Sequence, residues 1–147
     1  MKSVILYYSV HHGNTKKLVE GIAQEYDIQL VDILETKSLD LSAYDLIGFA
    51  SGIYAFNLPV EILKFAQENL PESKRVFCLY TCAMLKSGYT KKLVEIVKNK
   101  NCEYVGEFGC NGYNTFGPFK IVGGTSKGHP DEVDIRNAIE FYTSVKK

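Results

Sequence analysis

Neither sign of charge predominates in this chain: 17 lysines and arginines stand against 17 aspartates and glutamates in 147 residues. That balance removes the electrostatic reason to expect a nucleic acid as partner. Long apolar runs are also missing. The run near the amino terminus follows a single lysine and ends after about seven residues in polar His-His-Gly-Asn, too weak for a secretion signal and far too short for a membrane span. The chain is therefore expected in the cytoplasm, with no membrane association. Low-complexity and charge-rich tracts are absent, which argues against disorder. Cysteine is sparse: Cys78, Cys82, Cys102 and Cys110. Without an export signal these four are expected to be thiols, and three of them lie in strand-like apolar runs where buried cysteine is common. Their spacing makes a weak zinc pattern, and no metal site is expected.

What is present points to one folded domain over residues 1–147, with 46% apolar and 12% aromatic residues to build a core. Strand-like runs occupy residues 3–9, 28–33, 45–51, 75–81 and 103–110. They read as continuous apolar stretches, as expected where helices cover both faces of a parallel sheet. Helical patterns lie between them: Leu18, Val19, Ile22, Ala23 and Tyr26 share a face. Ile62, Leu63, Ala66 and Leu70 form a stripe after Pro59, which marks a first turn. Tyr89, Leu93, Ile96 and Val97 repeat the pattern. A last helix opens at Pro130-Asp131-Glu132, with acids at its positive end. Residues 35–44 show little periodicity and read as loop or one short turn. Alternating strands and helices imply right-handed crossovers and an open α/β sheet. Residues 111–129, with five glycines and three aromatics, are longer than a connection requires and are expected to form an ordered excursion near the functional site.

In open α/β sheets ligands bind at the carboxyl ends of the strands, where strand order reverses. The first such end reads Ser-Val-His-His-Gly-Asn-Thr, residues 9–15. A helix starting at Asn14 or Thr15 leaves backbone N–H groups aimed outward as an anion site, Gly13 allows close approach, and Ser9, Asn14 and Thr15 offer hydrogen bonds. The competing reading is an ordinary cap and turn. Lys16 and Lys17 oppose the helix dipole by roughly 0.3–1 kcal/mol each, a cost that a bound phosphate would offset. His11 and His12 could each donate an N–H to such a phosphate. Neither G-x-G-x-x-G nor G-x4-G-K-[ST] occurs. A phosphoacceptor receiver domain would need acids where Ser9 and Ser51 stand.

The run ILYYSVHHGNTKKLVEGIA resembles the flavodoxin signature, in which a phosphate loop ends in Gly-Asn-Thr and leads into a helix. DLIGFASGIYAFNLP and VFCLYTCAM resemble the family's second and third flavin loops in order and position, so the likeness covers most of the chain. It implies an open, doubly wound, five-stranded parallel sheet in the order 2-1-3-4-5. It also implies flavin mononucleotide (FMN) at the tips of the first, third and fourth strands. The phosphate would meet Ser9, His11, His12, Gly13, Asn14 and Thr15. The ring would lie between Ser51, Gly52, Ile53, Tyr54, Ala55 and Phe56 on one side and Thr81, Cys82, Ala83 and Met84 on the other. Tyr54 falls where the family places an aromatic against the ring. Three features depart from the pattern: histidines replace hydroxyl residues at 11 and 12, Ala55 stands where many relatives have glycine and resists a positive φ, and the chain is neutral where many relatives are acidic.

The resemblance implies a low-potential, one-electron carrier that serves redox partner proteins, a reductase as donor and an enzyme as acceptor. It requires no catalytic residue, because the flavin carries the electrons. An FMN-dependent NAD(P)H:quinone-type oxidoreductase is the alternative, favoured by neutrality and by the aromatic excursion. A flavin-free binding module that has kept the fold is a third reading.

Overall fold

The computed structural model describes residues 1–10, 13–112 and 128–147. Among these the chain forms β1 (Ser3–Tyr8), α1 (Asn14–Glu25), β2 (Gln29–Asp32), β3 (Leu46–Gly52), α2 (Val60–Asn69), β4 (Arg75–Cys82), α3 (Lys91–Asn99), β5 (Glu103–Asn111) and α4 (Glu132–Val145). All neighbouring strands pair in parallel, in the order β2-β1-β3-β4-β5. The chain leaves β1 for one edge and returns to its other side, so the order reverses between β1 and β3. Each strand boundary falls within one residue of its sequence expectation.

Alternation along each strand divides the core in two. Ile5, Ala50, Phe77 and Leu79 pack with Leu18 and Ile22 of α1 and with Ala138 and Tyr142 of α4. Val4, Leu6, Phe49 and Cys78 pack with Ile62 and Phe65 of α2 and Leu93 of α3. Helices on both faces explain why the central strands β1, β3 and β4 read as unbroken apolar runs. Gly48 interrupts β3 for a steric reason: a Cβ there would lie 2.3 Å from the Phe77 ring, which fills that space.

The segment between β2 and β3 forms turns and no helix. Asp32 closes the first turn by accepting the Leu34 N–H at 2.9 Å, a local bond that competes with helix formation. The buried Leu41 and Tyr44 from this segment join the α2 side of the core and cover the sheet in the helix's place. Among the described residues, no helix is long and apolar enough to cross a membrane. The four cysteines carry no disulfide, and Cys78, Cys82 and Cys110 are buried.

Candidate binding site at the carboxyl tips of the strands

The loop after β1 turns into α1 at Gly13, which takes a left-handed φ of 64° and is the helix N-cap. No side chain caps the helix through that residue, and its first turn holds no acid. Ser9 reaches back instead, its Oγ accepting the Lys16 N–H at 3.2 Å. Among the described residues a Cβ added at Gly13 would meet nothing within 4 Å. Asn14 opens the helix, and Thr15 is buried with its hydroxyl 3.4 Å from that of Thr81 on β4. The helix start is thus braced against the tip of a strand two places away in the sheet. His11 and His12 lie outside the described residues.

The second loop leaves β3 at Gly52. Ser51 is fully buried and donates its hydroxyl to the Gly52 carbonyl at 2.9 Å, while the Ile53 N–H donates to Thr81 O at 3.0 Å. Residues 54–57 then make a tight turn: the Tyr54 N–H donates to Asn57 O at 2.8 Å, and the Asn57 N–H donates back at 3.0 Å. Its central residues are Ala55 at φ 48° and Phe56 at φ 65°, the signs of a type I′ turn, which normally takes Asn-Gly. Non-glycine residues in this region cost about 1–2 kcal/mol each. Ala55 therefore takes up the positive φ that its side chain resists, held by the two backbone bonds and by Asn57 Nδ2 donating to Ala55 O at 3.1 Å. The turn aims Phe56 outward, and Lys86 Nζ sits 4.2 Å from its ring centroid.

Tyr54 folds back over Gly52, where a Cβ would touch its ring at 3.6 Å. Its ring lies edge-on to that of Tyr8, centroids 6.4 Å apart. Burial, with smaller contributions from Tyr8 and Glu61, pushes the Tyr54 phenol up to about 12, so it stays a neutral, flat aromatic at the tip. Tyr8 was not among the residues anticipated for the site. The strand parity that puts it on the face of Val4 and Leu6 was the available signal.

The third loop follows Thr81 and Cys82, both buried. Burial raises the Cys82 thiol to about 11, so it behaves as a small apolar group with Sγ 3.6 Å from the Cys110 carbonyl. Ala83 is half-buried, and Met84 projects outward, 66% exposed, while its carbonyl accepts the Tyr89 hydroxyl at 2.6 Å. Beside it the Gly112 N–H donates to Cys82 O at 3.0 Å. A Cβ on Gly112 would stand 2.6 Å from Asn14 Nδ2 and 3.1 Å from Thr81 Cβ. A side chain there would have to displace the Asn14 amide, so glycine lets the excursion begin close against the start of α1. Residues 113–127 of that excursion lie outside the described residues.

The structure therefore brings the described candidates, Ser9, Gly13, Asn14, Thr15, Ser51, Gly52, Ile53, Tyr54, Ala55, Phe56, Thr81, Cys82 and Ala83, to one end of the sheet. A second polar cluster stands at the start of α4. There His129 Nδ1 lies 2.6 Å from Asp134 Oδ2 and 3.7 Å from Asp131 Oδ2. The Asp134 hydrogen bond raises the His129 pKa above its ordinary value, and the paired backbone bonds of this cap lower that of Asp131.

A parallel sheet in this order, with loops of three neighbouring strands converging at the reversal, defines a doubly wound α/β protein, a class in which ligands bind at the carboxyl ends of the strands. The flavodoxin domain family matches residues 4–112. The chain belongs to the flavodoxin family. An uncharacterised protein of Methanocaldococcus jannaschii is 42% identical over 149 residues, covering 100% of this chain and 99% of that one. Oxidised flavodoxin 1 of Bacillus cereus superposes with a TM-score of 0.71 at 16% identity, covering 99% of this chain and 97% of its own. The Fusobacterium nucleatum flavodoxin bound to flavin mononucleotide gives 0.66 at 14% identity, covering 99% and 98%.

Proposed function

We propose that this chain binds FMN at the described strand tips and serves in the cytoplasm as a low-potential, one-electron carrier between redox proteins. The observation that carries this reading is the start of α1: a helix amino terminus at the topological reversal, opened by glycine, without an acid in its first turn. Such an end favours a dianion. The donor set fits a phosphoester, with Ser9, Asn14 and Thr15 supplying hydroxyl and amide groups and Gly13 placing no side chain at the turn. The turn at 54–57 and the tip of β4 suit a flat ring, offering an aromatic face at Tyr54 and backbone edges at Gly52, Ile53 and Ala83.

When bound, FMN supplies the electron-transfer chemistry. The protein's part is to hold the phosphate end, orient the ring end and set its surroundings. Those surroundings disfavour added negative charge: burial already raises the Tyr54 phenol to about 12 and the Cys82 thiol to about 11. The same desolvation works against an anionic reduced flavin and lowers its potential.

The test begins with the absorbance spectrum of the protein as purified, followed by anaerobic mixing with NADPH. The carrier account expects one flavin per chain, no rapid bleaching by NADPH alone, and bleaching once a ferredoxin-type reductase is added. Rapid bleaching by NADPH alone would instead establish an FMN-dependent NAD(P)H:quinone-type oxidoreductase. A colourless protein that takes up no added FMN would overturn both.

A further inference from the structure

Exposed apolar surface is unevenly placed on this molecule. At the amino end of the sheet, Met1 is the one large exposed apolar side chain among the described residues. At the carboxyl end, Val10, Phe56, Met84 and Leu85 stand at 43%, 67%, 66% and 54% exposure on the three loops of the candidate site. Phe56 and the Met84–Leu85 pair are joined by Lys86, whose ammonium lies over the Phe56 ring. Scattered exposed side chains need no explanation, but a group confined to one end does.

The charge pattern at that end is equally uneven. Residues 9–15, 51–59 and 82–90 contain no aspartate or glutamate and one lysine, Lys86. The helix that follows opens with the exposed Lys91 and Lys92 and has no acid in its first turn. The acids of this end are Asp32 at the tip of β2 and Glu35 in the turn after it, Glu61 on α2, Glu95 one turn into α3, Glu107, whose carboxylate accepts the Thr90 hydroxyl, and the α4 group Asp131, Glu132 and Asp134. Within that group Asp131 and Asp134 are already engaged in closing their own helix and holding His129. Among the described residues Lys86, Lys91 and Lys92 form no ion pair, and an apolar centre bordered by such lysines complements an apolar patch bordered by carboxylates.

We propose that this face docks a redox protein whose contact surface is apolar at its centre and acidic at its rim, with those carboxylates meeting Lys86, Lys91 and Lys92. The inference rests on the electron-carrier reading and specifies its partner.

The experiment uses the FMN-loaded protein, photoreduced and then mixed with ferricyanide or with hexaammineruthenium(III), each of which takes one electron per ion. The bound flavin adds the same negative charge to parent and variant, so the contribution of the lysines is read from the difference between the two at low and at about tenfold higher ionic strength. At low ionic strength Lys86→Glu combined with Lys91→Glu and Lys92→Glu should slow reaction with the anionic oxidant by about threefold or more and speed it with the cationic one, the differences shrinking at high salt, while FMN uptake stays as in the parent. In parallel, a glutamate-rich peptide carrying two leucines should shift amide resonances of residues 56, 84–86 and 91–92 in both flavin-free and loaded protein, whereas a lysine-rich counterpart should not. Rates that the triple substitution leaves unaltered or changes in the opposite sense, or preference for the basic peptide, would overturn the proposal. So would sedimentation showing that a second copy of the chain covers this face. Failure of FMN uptake would count against the carrier reading alone, because the peptide measurement judges the docking face without flavin.

Discussion

Two helices begin at the carboxyl end of this sheet in opposite ways. At α4 the positive end is closed by the chain itself: Asp131 accepts the Asp134 N–H at 2.9 Å, Asp134 accepts the Asp131 N–H at 2.9 Å, and Glu132 adds a further acid. At α1 there is a left-handed glycine, no acid in the first turn, and Lys16 and Lys17 where carboxylates would be favourable. Capping by a side chain typically contributes about 1 kcal/mol, and each misplaced cation costs a few tenths. A helix whose start has the Ser9 hydroxyl, no acid and two lysines, at the point where strand order reverses, fits the proposed charge supplied from outside. The same chain shows that it can cap a helix where none is needed.

Giving α1 an acid like those of α4 is the strongest way to break this contrast. Asn14→Asp should weaken FMN binding by about 30–100-fold, from loss of a bond to a charged group worth about 1.5–3 kcal/mol and repulsion of the phosphate. Riboflavin binding, measured by the same fluorescence titration, should fall less than about threefold. The flavin-free variant should melt slightly higher, because the new carboxylate favours the helix dipole. Equal losses for both flavins would show that the phosphate rests elsewhere.

Tyr54→Ala sharpens the comparison from the ring side. Both flavins should bind about fivefold more weakly, near 1 kcal/mol of lost ring contact, and the discrimination between them should survive. Asp131→Ala tests the other helix: calorimetry should show a lower melting temperature with FMN affinity unchanged. A loss of flavin binding there would mean that α4 belongs to the site.

The smallest effect concerns pH. His129 has a raised pKa in the folded state through Asp134, so its contribution is fully present below its ordinary value of 6.5 and is lost as pH rises through the raised one. Asp131 has a lowered pKa, so its contribution is present above 3.8 and is lost as pH falls through the lowered value. Melting temperature should therefore decline modestly from pH 6 towards alkaline pH, and His129→Asn should flatten that decline.

Most of the architecture was legible in the sequence because five apolar runs and their helical partners leave little choice of layers. The segment at 35–44 was ambiguous for a physical reason: Asp32 terminates β2 with a local turn, while Leu41 and Tyr44 cover the sheet without helical spacing. Gly13, Asn14 and Thr15 were legible as a helix start because their residue types carry the geometry. The bracing of Thr15 against Thr81, Gly112 against Asn14 and Tyr8 against Tyr54 was not, since these contacts join parts of the chain 46 to 98 positions apart that only the sheet order brings together. The conformation of Ala55 was not legible from its residue type. Its own preference argues against a positive φ, and the paired bonds of Tyr54 and Asn57 override it. Lys86 was invisible because its importance comes from the loop opposite.

The most direct measurement is amide NMR of the flavin-free protein titrated in parallel with FMN and riboflavin. If a phosphate is held at the start of α1, FMN will shift the Asn14, Thr15 and Lys16 amides strongly, riboflavin will leave them nearly in place, and both will shift Gly52, Ile53 and Ala83. Shifts at residues 14–16 that are the same for both flavins, or absent for both, would contradict the account.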